Sequence, residues 1–253
     1  MLAALLWDVD GTLAETERDG HRVAFNQAFA ALGLPWRWDS ARYGRLLRVT
    51  GGRERLLAAM AEETGAPATE ADRDALAREL HRIKNDCYAR LVREGGIELR
   101  PGVAALIGEA RTEGLRQAIV TTTSRANVDA LLGHHLGPAW AAHFDAVVCG
   151  EDVRAKKPDP QAHRRALAAL GVSAPQALAI EDSGPGARAA LAAGIPVVVT
   201  RSFYFPADAI EPALAIGPGL DTREGWSPAP LARPDARITL RDLCEWRTRA
   251  APA

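Results

Sequence analysis

The sequence predicts an α/β protein built on a doubly wound parallel sheet, and two observations carry this prediction. Short apolar runs, each long enough for one buried strand, occupy residues 2–7, 117–122, 144–149, 177–180 and 195–200. Stretches rich in Ala and Leu, typical of helices, lie between them at 101–113, 127–132 and 187–193. Strands that alternate with helices of this length form βαβ units, so we expect a Rossmann-like sheet covered on both faces.

A helical insertion follows the first of these strands. Charged, helix-favouring patterns occupy residues 23–32, 54–63 and 70–94. We therefore expect a catalytic core domain formed by 1–13 and 99–253, with a helical cap domain formed by 14–98. An insertion at this point covers the carboxyl ends of the strands, where open α/β sheets bind ligands.

The C-terminal part of the chain has a different composition. The stretch 205–235 is rich in Pro and Gly, which predicts an irregular connection on the surface. After it, 240–249 has the pattern of a last helix, with Thr239 as its expected N-cap.

Composition excludes several classes of protein. The 253 residues include 31 Lys and Arg against 32 Asp and Glu, a balance that lacks the basic excess of a nucleic-acid binder. No apolar run approaches the roughly 18 residues of a membrane span, and the first residues resemble no secretory signal. Three widely spaced cysteines, Cys87, Cys149 and Cys244, indicate neither a disulfide framework nor a zinc site. We therefore expect a cytoplasmic protein without nucleic-acid or membrane partners.

Two pairs of acidic residues follow two of the predicted strands. Asp8 and Asp10 are two residues apart, so in an extended chain both carboxylates point the same way, and Glu181 and Asp182 close another apolar run. Four carboxylates around one pocket repel one another strongly unless a cation lies among them. Few, hard, all-oxygen ligands favour magnesium. The alternative is that these acids are helix N-caps, but the two pairs together favour the metal site.

Hydroxyl groups and a lysine predict a phosphate site at the same edge of the sheet. The run Thr121, Thr122, Thr123 and Ser124 ends one predicted strand and begins a helix, so its hydroxyls and free N–H groups face the pocket. Lys157 precedes a proline that fixes the backbone and aims the lysine inward. The alternatives are an ordinary N-cap for the hydroxyl run and a solvated turn for the lysine.

These elements stand in the order of the four motifs of the haloacid dehalogenase superfamily, which the chain resembles. The motifs are DVDGT at 8–12, TTTS at 121–124, KKP at 156–158 and EDS at 181–183. The inserted helices resemble the subgroup with a small helical cap, which contains β-phosphoglucomutase and phosphoglycolate phosphatase-like enzymes. A closer resemblance is to the CbbY type, phosphatases of xylulose-1,5-bisphosphate. Its supporting phrases include DVDGTLAETE at 8–17, FAALGL at 29–34, TGGRER at 50–55, LRPG at 99–102 and SFY at 202–204.

The resemblance implies the chemistry of the acidic residues. Asp8 attacks phosphorus and becomes an aspartyl phosphate. Asp10 protonates the leaving oxygen and then activates water. Mg²⁺ is held by Asp8, the backbone carbonyl of Asp10 and Asp182, with Glu181 nearby.

The same resemblance implies the phosphate contacts. Lys157, adjacent to the proline, fits the lysine that neutralises the phosphate better than Lys156 does. Thr122 fits the phosphate-binding hydroxyl of the second motif, and Thr121 is a rival because the run offers no gap that fixes the register. Further candidate substrate contacts in this run are Thr121, Thr123 and Ser124.

The helical insertion supplies the remaining candidate substrate contacts: His21, Thr50, Gly51, Gly52, Arg53 and Lys84. By resemblance, His21, Arg53 and Lys84 fall where cap residues of the β-phosphoglucomutase relatives touch the sugar or the second phosphate. The turn at 50–52, at a helix start, suits an anion. Taken alone, each of these charged side chains has a solvated helix surface as its alternative.

The chain departs from the family pattern at two places. One extra residue lies between Glu17 and His21, which shifts the alignment of His21. The residues at 184–186, Gly-Pro-Gly, follow the fourth motif where relatives often have a polar residue. That loop is expected to orient Glu181 and Asp182 differently.

The expected function is that of a phosphoric monoester hydrolase, a Mg²⁺-dependent phosphatase that takes xylulose-1,5-bisphosphate through an aspartyl phosphate. The alternatives are a β-phosphoglucomutase-like sugar phosphotransferase and a phosphoglycolate-type monophosphate phosphatase, which use the same chemistry under a different cap. A non-catalytic module on this fold would lack Asp8, Asp10 or Lys157, and all three are present. The expected partner is a small-molecule sugar phosphate, bound by a monomer.

Overall fold

A parallel sheet of six strands forms the centre of the structure, a computed structural model that describes residues 1–207, 210 and 212–250. The strands are β1 (Ala4–Trp7), β2 (Arg116–Val120), β3 (Ala146–Val148), β4 (Ala177–Glu181), β5 (Val197–Thr200) and β6 (Ala215–Gly217). Their order is β3-β2-β1-β4-β5-β6, and all neighbours are parallel. The chain extends from β1 first to one edge and then to the other, which is the doubly wound topology predicted.

The described residues also form nine α-helices. They are α1 (Arg22–Ala31), α2 (Ser40–Leu46), α3 (Gly52–Ala59), α4 (Glu70–Arg93), α5 (Val103–Thr112), α6 (Arg125–Leu136), α7 (Gln161–Leu170), α8 (Gly184–Ala192) and α9 (Leu240–Ala250). None of these helices combines the length and the apolar character that a membrane span requires.

Helices cover both faces of the sheet, because successive side chains of a strand point to opposite faces. Leu5 and Trp7 pack into a core that includes buried residues of α5, α6 and α9. Ala4 and Leu6 pack into a second core with buried residues of α7 and α8. The prediction of a sheet enclosed by two helical layers is confirmed.

The helices α1–α4 lie between β1 and β2 in the chain and surround a third apolar cluster. Its centre is aromatic: the Phe25 and Phe29 rings each lie 4.9 Å from Trp38 between centroids. Ala14 and Leu99 form a single antiparallel bridge, so the chain enters and leaves this helical segment at adjacent points. Residues of these helices line a cleft together with Asp10 and Thr122, which follow β1 and β2, so the helices lie over the carboxyl ends of the strands.

The structure corrects some of the predicted elements. β6 lies within the stretch 205–235, which was predicted to be irregular, because three residues are too short to show a period. α2 and α7 were not predicted at all, and α6 is longer than 127–132. Thr239 directly precedes α9, and its hydroxyl donates to the Asp242 carboxylate at 2.8 Å. Residues 208, 209 and 211 of the predicted irregular stretch and 251–253 of the predicted core domain lie outside the described residues.

Candidate active site

The acidic residues of the first and fourth motifs come together because their strands are neighbours. β1 pairs with β4 so that Trp7 lies opposite Ile180, and Asp8 therefore follows β1 where Glu181 ends β4. Oxygen atoms of Asp8, Glu181 and Asp182 all lie within 4.8 Å of one another, and all three residues are buried. This cluster stands beside β1, where the strand order reverses, which is the place at which such sheets bind ligands.

Lys157 is the cation that faces this cluster. Its Nζ donates to Asp8 Oδ1 at 2.6 Å, to Glu181 Oε1 at 2.8 Å and to the Val120 carbonyl at 2.8 Å. Lys156 points away and pairs with Glu54 at 2.6 Å. Of the two lysines before the proline, Lys157 is thus the one that lies beside Asp8.

Burial and mutual repulsion govern the protonation of this cluster. Burial, together with the charges of Glu181 and Asp10, raises the pKa of Asp8 to about 7 despite the opposing effect of Lys157. Burial also raises the pKa of Glu181, and burial with the charge of Asp8 raises the pKa of Asp182. One lysine therefore does not balance three buried carboxylates.

The cluster fits a hard divalent cation. It offers only oxygen, and Glu181 Oε2 is buried without a hydrogen-bond partner among the described residues. Two glycines bring backbone close to these oxygens. A Cβ on Gly11 would lie 2.0 Å from Asp182 Oδ2, and one on Gly186 would lie 2.0 Å from Glu181 Oε2. The Gly-Pro-Gly loop thus leaves room for the Glu181 side chain.

Asp10 belongs to a different hydrogen-bonded group. Its Oδ1 accepts from the Thr16 hydroxyl at 2.6 Å and lies 2.9 Å from His21 Nε2. Burial alone would raise the pKa of Asp10, but the charge and hydrogen bond of His21, with that of Thr16, lower it to about 2. Glu17–His21 form a π-helical turn, at the place where one extra residue is predicted. That turn holds His21 beside Asp10, and the Asp10 carboxylate lies outside the acidic cluster.

The four hydroxyl-bearing residues of the second motif, 121–124, make different contacts. Thr121 Oγ1 accepts from the Thr123 N–H at 3.1 Å, and Thr123 Oγ1 accepts from Asn127 at 3.0 Å. Ser124 caps α6, since its side chain accepts from the Asn127 N–H. Thr122 lines the space in front of the acidic cluster, where Thr121 does not. Among the four, the Thr122 side chain therefore has the position expected of the phosphate contact.

Two adjoining spaces lie between the sheet and the inserted helices. An inner pocket of about 50 Å³ is lined by Asp8, Lys157 and Asp182, among others. An outer cleft of about 370 Å³ lies under the helices. Both are lined by Asp10, Glu17, Arg55 and Thr122. A ligand can therefore contact the acidic cluster and the helices together.

Four cationic side chains line the outer cleft, Arg53, Arg55, Lys84 and Lys156. The carboxylates of Asp10, Glu17, Glu54 and Glu151 line it as well. Lys84 is 3% exposed, with its Nζ 5.3 Å from the ring centroids of both Phe25 and Tyr88. Burial lowers the pKa of Lys84 to about 8, although the charges of Asp10 and Glu17 oppose the shift. In the described part of the chain, Lys84 has no carboxylate in ion-pair contact.

The other predicted contacts of the insertion line the same cleft, except for Thr50. Arg53 lines the cleft and pairs with Asp74, and its side chain remains 44% exposed. Gly51 and Gly52 line it at the start of α3, and Gly51 has φ +93°. Thr50 instead donates its hydroxyl to the Lys157 carbonyl at 2.8 Å, which ties the insertion to the third motif.

Sequence reasoning missed a buried network at the junction of the two spaces. Glu17 accepts from the Tyr43 hydroxyl and lies 3.6 Å from Arg55, whose Nη1 also donates to Tyr43 at 2.8 Å. His81 lines the outer cleft as well, and burial with the charges of Lys84 and Lys156 lowers its pKa to about 4. Glu17 and Arg55 stand within the phrases DVDGTLAETE and TGGRER, which was the available signal.

The fold and the acidic site define a class of enzyme. The family model of haloacid dehalogenase-like hydrolases matches residues 2–194. The chain belongs to this family, and the prediction that it is a hydrolase enzyme is confirmed.

Within the family, the chain is similar to CbbY proteins. Protein CbbY of Cupriavidus necator is 46% identical over 251 residues, which cover 97% of this chain and 96% of that protein. The crystal structure of CbbY from Rhodobacter sphaeroides in complex with phosphate has a TM-score of 0.78 and 44% identity, covering 84% of this chain and 92% of that one. A variant of the same protein in complex with xylulose-1,5-bisphosphate matches with a TM-score of 0.78 and 43% identity over the same shares. The predicted resemblance to the CbbY type is confirmed.

Proposed function

We propose that the protein is a Mg²⁺-dependent phosphatase of xylulose-1,5-bisphosphate that works through an aspartyl phosphate at Asp8. One observation carries the proposal. Lys157 contacts Asp8 in the inner pocket, while Arg53 and Lys84 lie in the adjoining outer cleft. A nucleophile with a cation suits one phosphate, and separate cations suit a second phosphate at the other end of a sugar.

Asp8 is the nucleophile in this proposal. A carboxylate oxygen of Asp8 forms a bond to phosphorus as the bond from phosphorus to the sugar oxygen breaks. Lys157 and Thr122 position the phosphoryl group and balance the charge on its equatorial oxygens, which is the main requirement of phosphoryl transfer. Water then attacks phosphorus, releases inorganic phosphate and restores the Asp8 carboxylate.

Asp10 is the acid and then the base. Its ionised form, favoured by His21 and Thr16, suits the second step, in which it accepts a proton from the attacking water. In the first step it donates a proton to the leaving sugar oxygen. The negative charge of the arriving phosphate raises the pKa of Asp10 and favours that proton.

The acidic cluster is the proposed metal site. Asp8, Glu181 and Asp182 would hold Mg²⁺, together with the backbone carbonyl of Asp10 that the family pattern implies. When bound, the ion supplies positive charge to the carboxylates and the substrate phosphate. Without the ion, Lys157 alone does not balance the negative charge of the three carboxylates.

The segment 14–98 is the proposed cap, which selects the substrate over a core formed by 1–13 and 99–253. Arg53 and Lys84 bind the distal phosphate. Glu17, held by Tyr43 and Arg55, offers a fixed carboxylate to sugar hydroxyls at the junction of the two spaces. The supporting feature is that the whole set lines one cleft.

A panel of substrates tests this function. Phosphate release is measured with xylulose-1,5-bisphosphate, ribulose-1,5-bisphosphate, 2-phosphoglycolate and β-glucose 1-phosphate, with Asp8→Asn as the background control. We expect the highest kcat/KM for xylulose-1,5-bisphosphate. A preference for 2-phosphoglycolate, or phosphate transfer from β-glucose 1-phosphate to a second sugar hydroxyl, would contradict it.

A further inference from the structure

Residues 202–205 form a short segment after β5 that contacts both the acidic cluster and the inserted helices. We call this segment, Ser-Phe-Tyr-Phe, the clasp. Its first three residues are the SFY phrase of the sequence. The proposed chemistry gives them no role, although each makes a defined contact.

The first residue of the clasp holds Asp182. The buried Ser202 hydroxyl donates to Asp182 Oδ2 at 2.6 Å. The Gly11 backbone also lies against this oxygen, since a Cβ there would lie 2.0 Å from Oδ2 and 3.1 Å from Ser202 Cβ. Ser202 and Gly11 thus both contact Asp182 Oδ2.

The far end of the clasp packs against α2. The Tyr204 ring lies 5.7 Å from that of Tyr43 between centroids, and its hydroxyl lies 3.3 Å from Ser40 Oγ. A Cβ on Gly44 would come within 3.2 Å of Tyr204 Cδ1. Phe205 packs on the same aromatic cluster of the helices. Tyr204 and Phe205 thus contact the inserted helices, whereas Ser202 contacts the sheet side.

The middle of the clasp joins the two ends. The Phe205 N–H donates to the Ser202 carbonyl at 3.2 Å, which closes a tight turn. The Phe203 N–H donates to Glu15 at 3.1 Å, next to the point where the chain enters the helical segment. The Arg18 guanidinium lies over the Phe203 ring at 5.3 Å. One hydrogen-bonded turn thus joins Tyr204 to Ser202.

We infer that the clasp couples the position of the inserted helices to the orientation of Asp182. Tyr204 and Ser202 are positioning residues: when α2 packs on Tyr204, Ser202 is held against Asp182, and when α2 moves away, that hydrogen bond is released. The inference rests on the proposed function, in which Asp182 is a metal ligand. Its consequence is that metal affinity depends on a contact with the helices.

Binding of Mn²⁺ to the intact protein, followed by electron paramagnetic resonance without substrate, tests the coupling. Ser202→Ala removes the inner contact and Tyr204→Ala the outer one. Gly44→Leu acts from α2, because leucine favours a helix but has no room beside Tyr204. Leu76→Ala is the control, since it loosens the same helical cluster away from the clasp. Circular dichroism shows which variants are folded.

We expect Ser202→Ala, Tyr204→Ala and Gly44→Leu each to weaken Mn²⁺ binding at least fivefold and Leu76→Ala to leave it unchanged. The double variant, Ser202→Ala with Tyr204→Ala, should bind Mn²⁺ with the same affinity as the single variant that binds it less tightly. Both substitutions break the same connection between α2 and Asp182. Unchanged affinity in Tyr204→Ala and Gly44→Leu, or single effects that multiply, would overturn the coupling alone. Asp182→Asn with unchanged Mn²⁺ binding would instead overturn the proposed metal site and the coupling with it.

Discussion

The inner pocket and the outer cleft differ in charge and are assembled differently. Carboxylates outnumber cations in the lining of the inner pocket, whereas the outer cleft has equal numbers of carboxylates and of Lys and Arg side chains. Asp8, Glu181 and Asp182 lie at the ends of neighbouring strands, and Lys157 donates to Asp8 and Glu181. The cations of the cleft stand instead on helices of the insertion and on a core loop. A site at strand ends depends on the fold that the whole family shares, whereas a site on inserted helices varies with the insertion. In the proposed function, the inner pocket therefore carries out the chemistry and the outer cleft selects the substrate.

Burial acts on both regions, with opposite results. It raises the pKa of Asp8 to about 7 and lowers the pKa of Lys84 to about 8, because a low dielectric disfavours either charge. Each region is therefore relieved by a ligand of the opposite sign, a cation at the inner pocket and an anion at the outer cleft. A bisphosphate bound with a metal ion supplies both.

The largest effect is expected at the inner pocket. Asp8→Asn should lower turnover by more than about 10⁴-fold for every substrate, because an amide cannot attack phosphorus. Phosphate release from xylulose-1,5-bisphosphate and from p-nitrophenyl phosphate measures this, with circular dichroism as the check on folding. Turnover near the wild-type rate on either substrate would remove Asp8 from the chemistry.

Removal of divalent metal should affect both substrates equally. Excess chelator should abolish activity, and added Mg²⁺ should restore it, since the three buried carboxylates otherwise repel the substrate phosphate. Ca²⁺ should compete without supporting turnover, because its looser coordination misplaces the nucleophile. The measurement is phosphate release after metal removal and titration. Full activity in excess chelator would contradict the metal site.

Arg53→Ala should separate the two regions. A charge-assisted hydrogen bond contributes roughly 1.5–3 kcal/mol, so kcat/KM for xylulose-1,5-bisphosphate should fall about tenfold or more. For p-nitrophenyl phosphate, which has no distal phosphate, kcat/KM should hardly change. Arg78→Ala is the matched control, because Arg78 also pairs with Asp74 but is 60% exposed and lies outside the cleft lining. Equal losses on both substrates would place Arg53 outside the distal phosphate site.

The last effect concerns the stability of the fold and arises from the titration of Lys84. Its pKa is 10.5 in the unfolded chain and about 8 when folded, so between these values the unfolded state binds more protons. Stability contributed through Lys84 therefore rises with pH from about 8 to 10.5. Relative to Lys84→Met, the unfolding free energy of the wild type should rise by up to roughly 3 kcal/mol over this range. Denaturant unfolding of both proteins at several pH values measures this difference in unfolding free energy. A difference that does not change with pH would show that folding does not lower the pKa of Lys84.

The sequence predicted the inner pocket well because its residues are local. Asp8 and Asp182 immediately follow buried strands, and the parallel order of the strands brings such positions to one edge. The positions of these acidic residues could therefore be predicted without knowing how distant parts of the chain pack. The lysine of the third motif could also be predicted. Of the two adjacent lysines, Lys157 directly precedes the proline, which restricts its backbone.

The outer cleft was predicted only in part because its contacts join distant elements. Glu17 meets Tyr43 and Arg55 because Tyr43 lies on α2, a short helix that the sequence did not predict. Ser202 reaches Asp182 because β5 lies beside β4, a pairing of strands that the sequence alone did not predict. Positions fixed by packing between separate helices and loops require the structure.

The central claim is that Asp8 carries the phosphoryl group for any substrate, while the helices decide which substrate reaches it. Acid quenching during turnover, followed by mass spectrometry of peptides, tests this directly. With xylulose-1,5-bisphosphate and with p-nitrophenyl phosphate, the phosphate should be found on Asp8. In Arg53→Ala, the phosphoenzyme should form more slowly from xylulose-1,5-bisphosphate but at an unchanged rate from p-nitrophenyl phosphate. Phosphate on another residue, or none trapped on Asp8 from either substrate, would contradict the account.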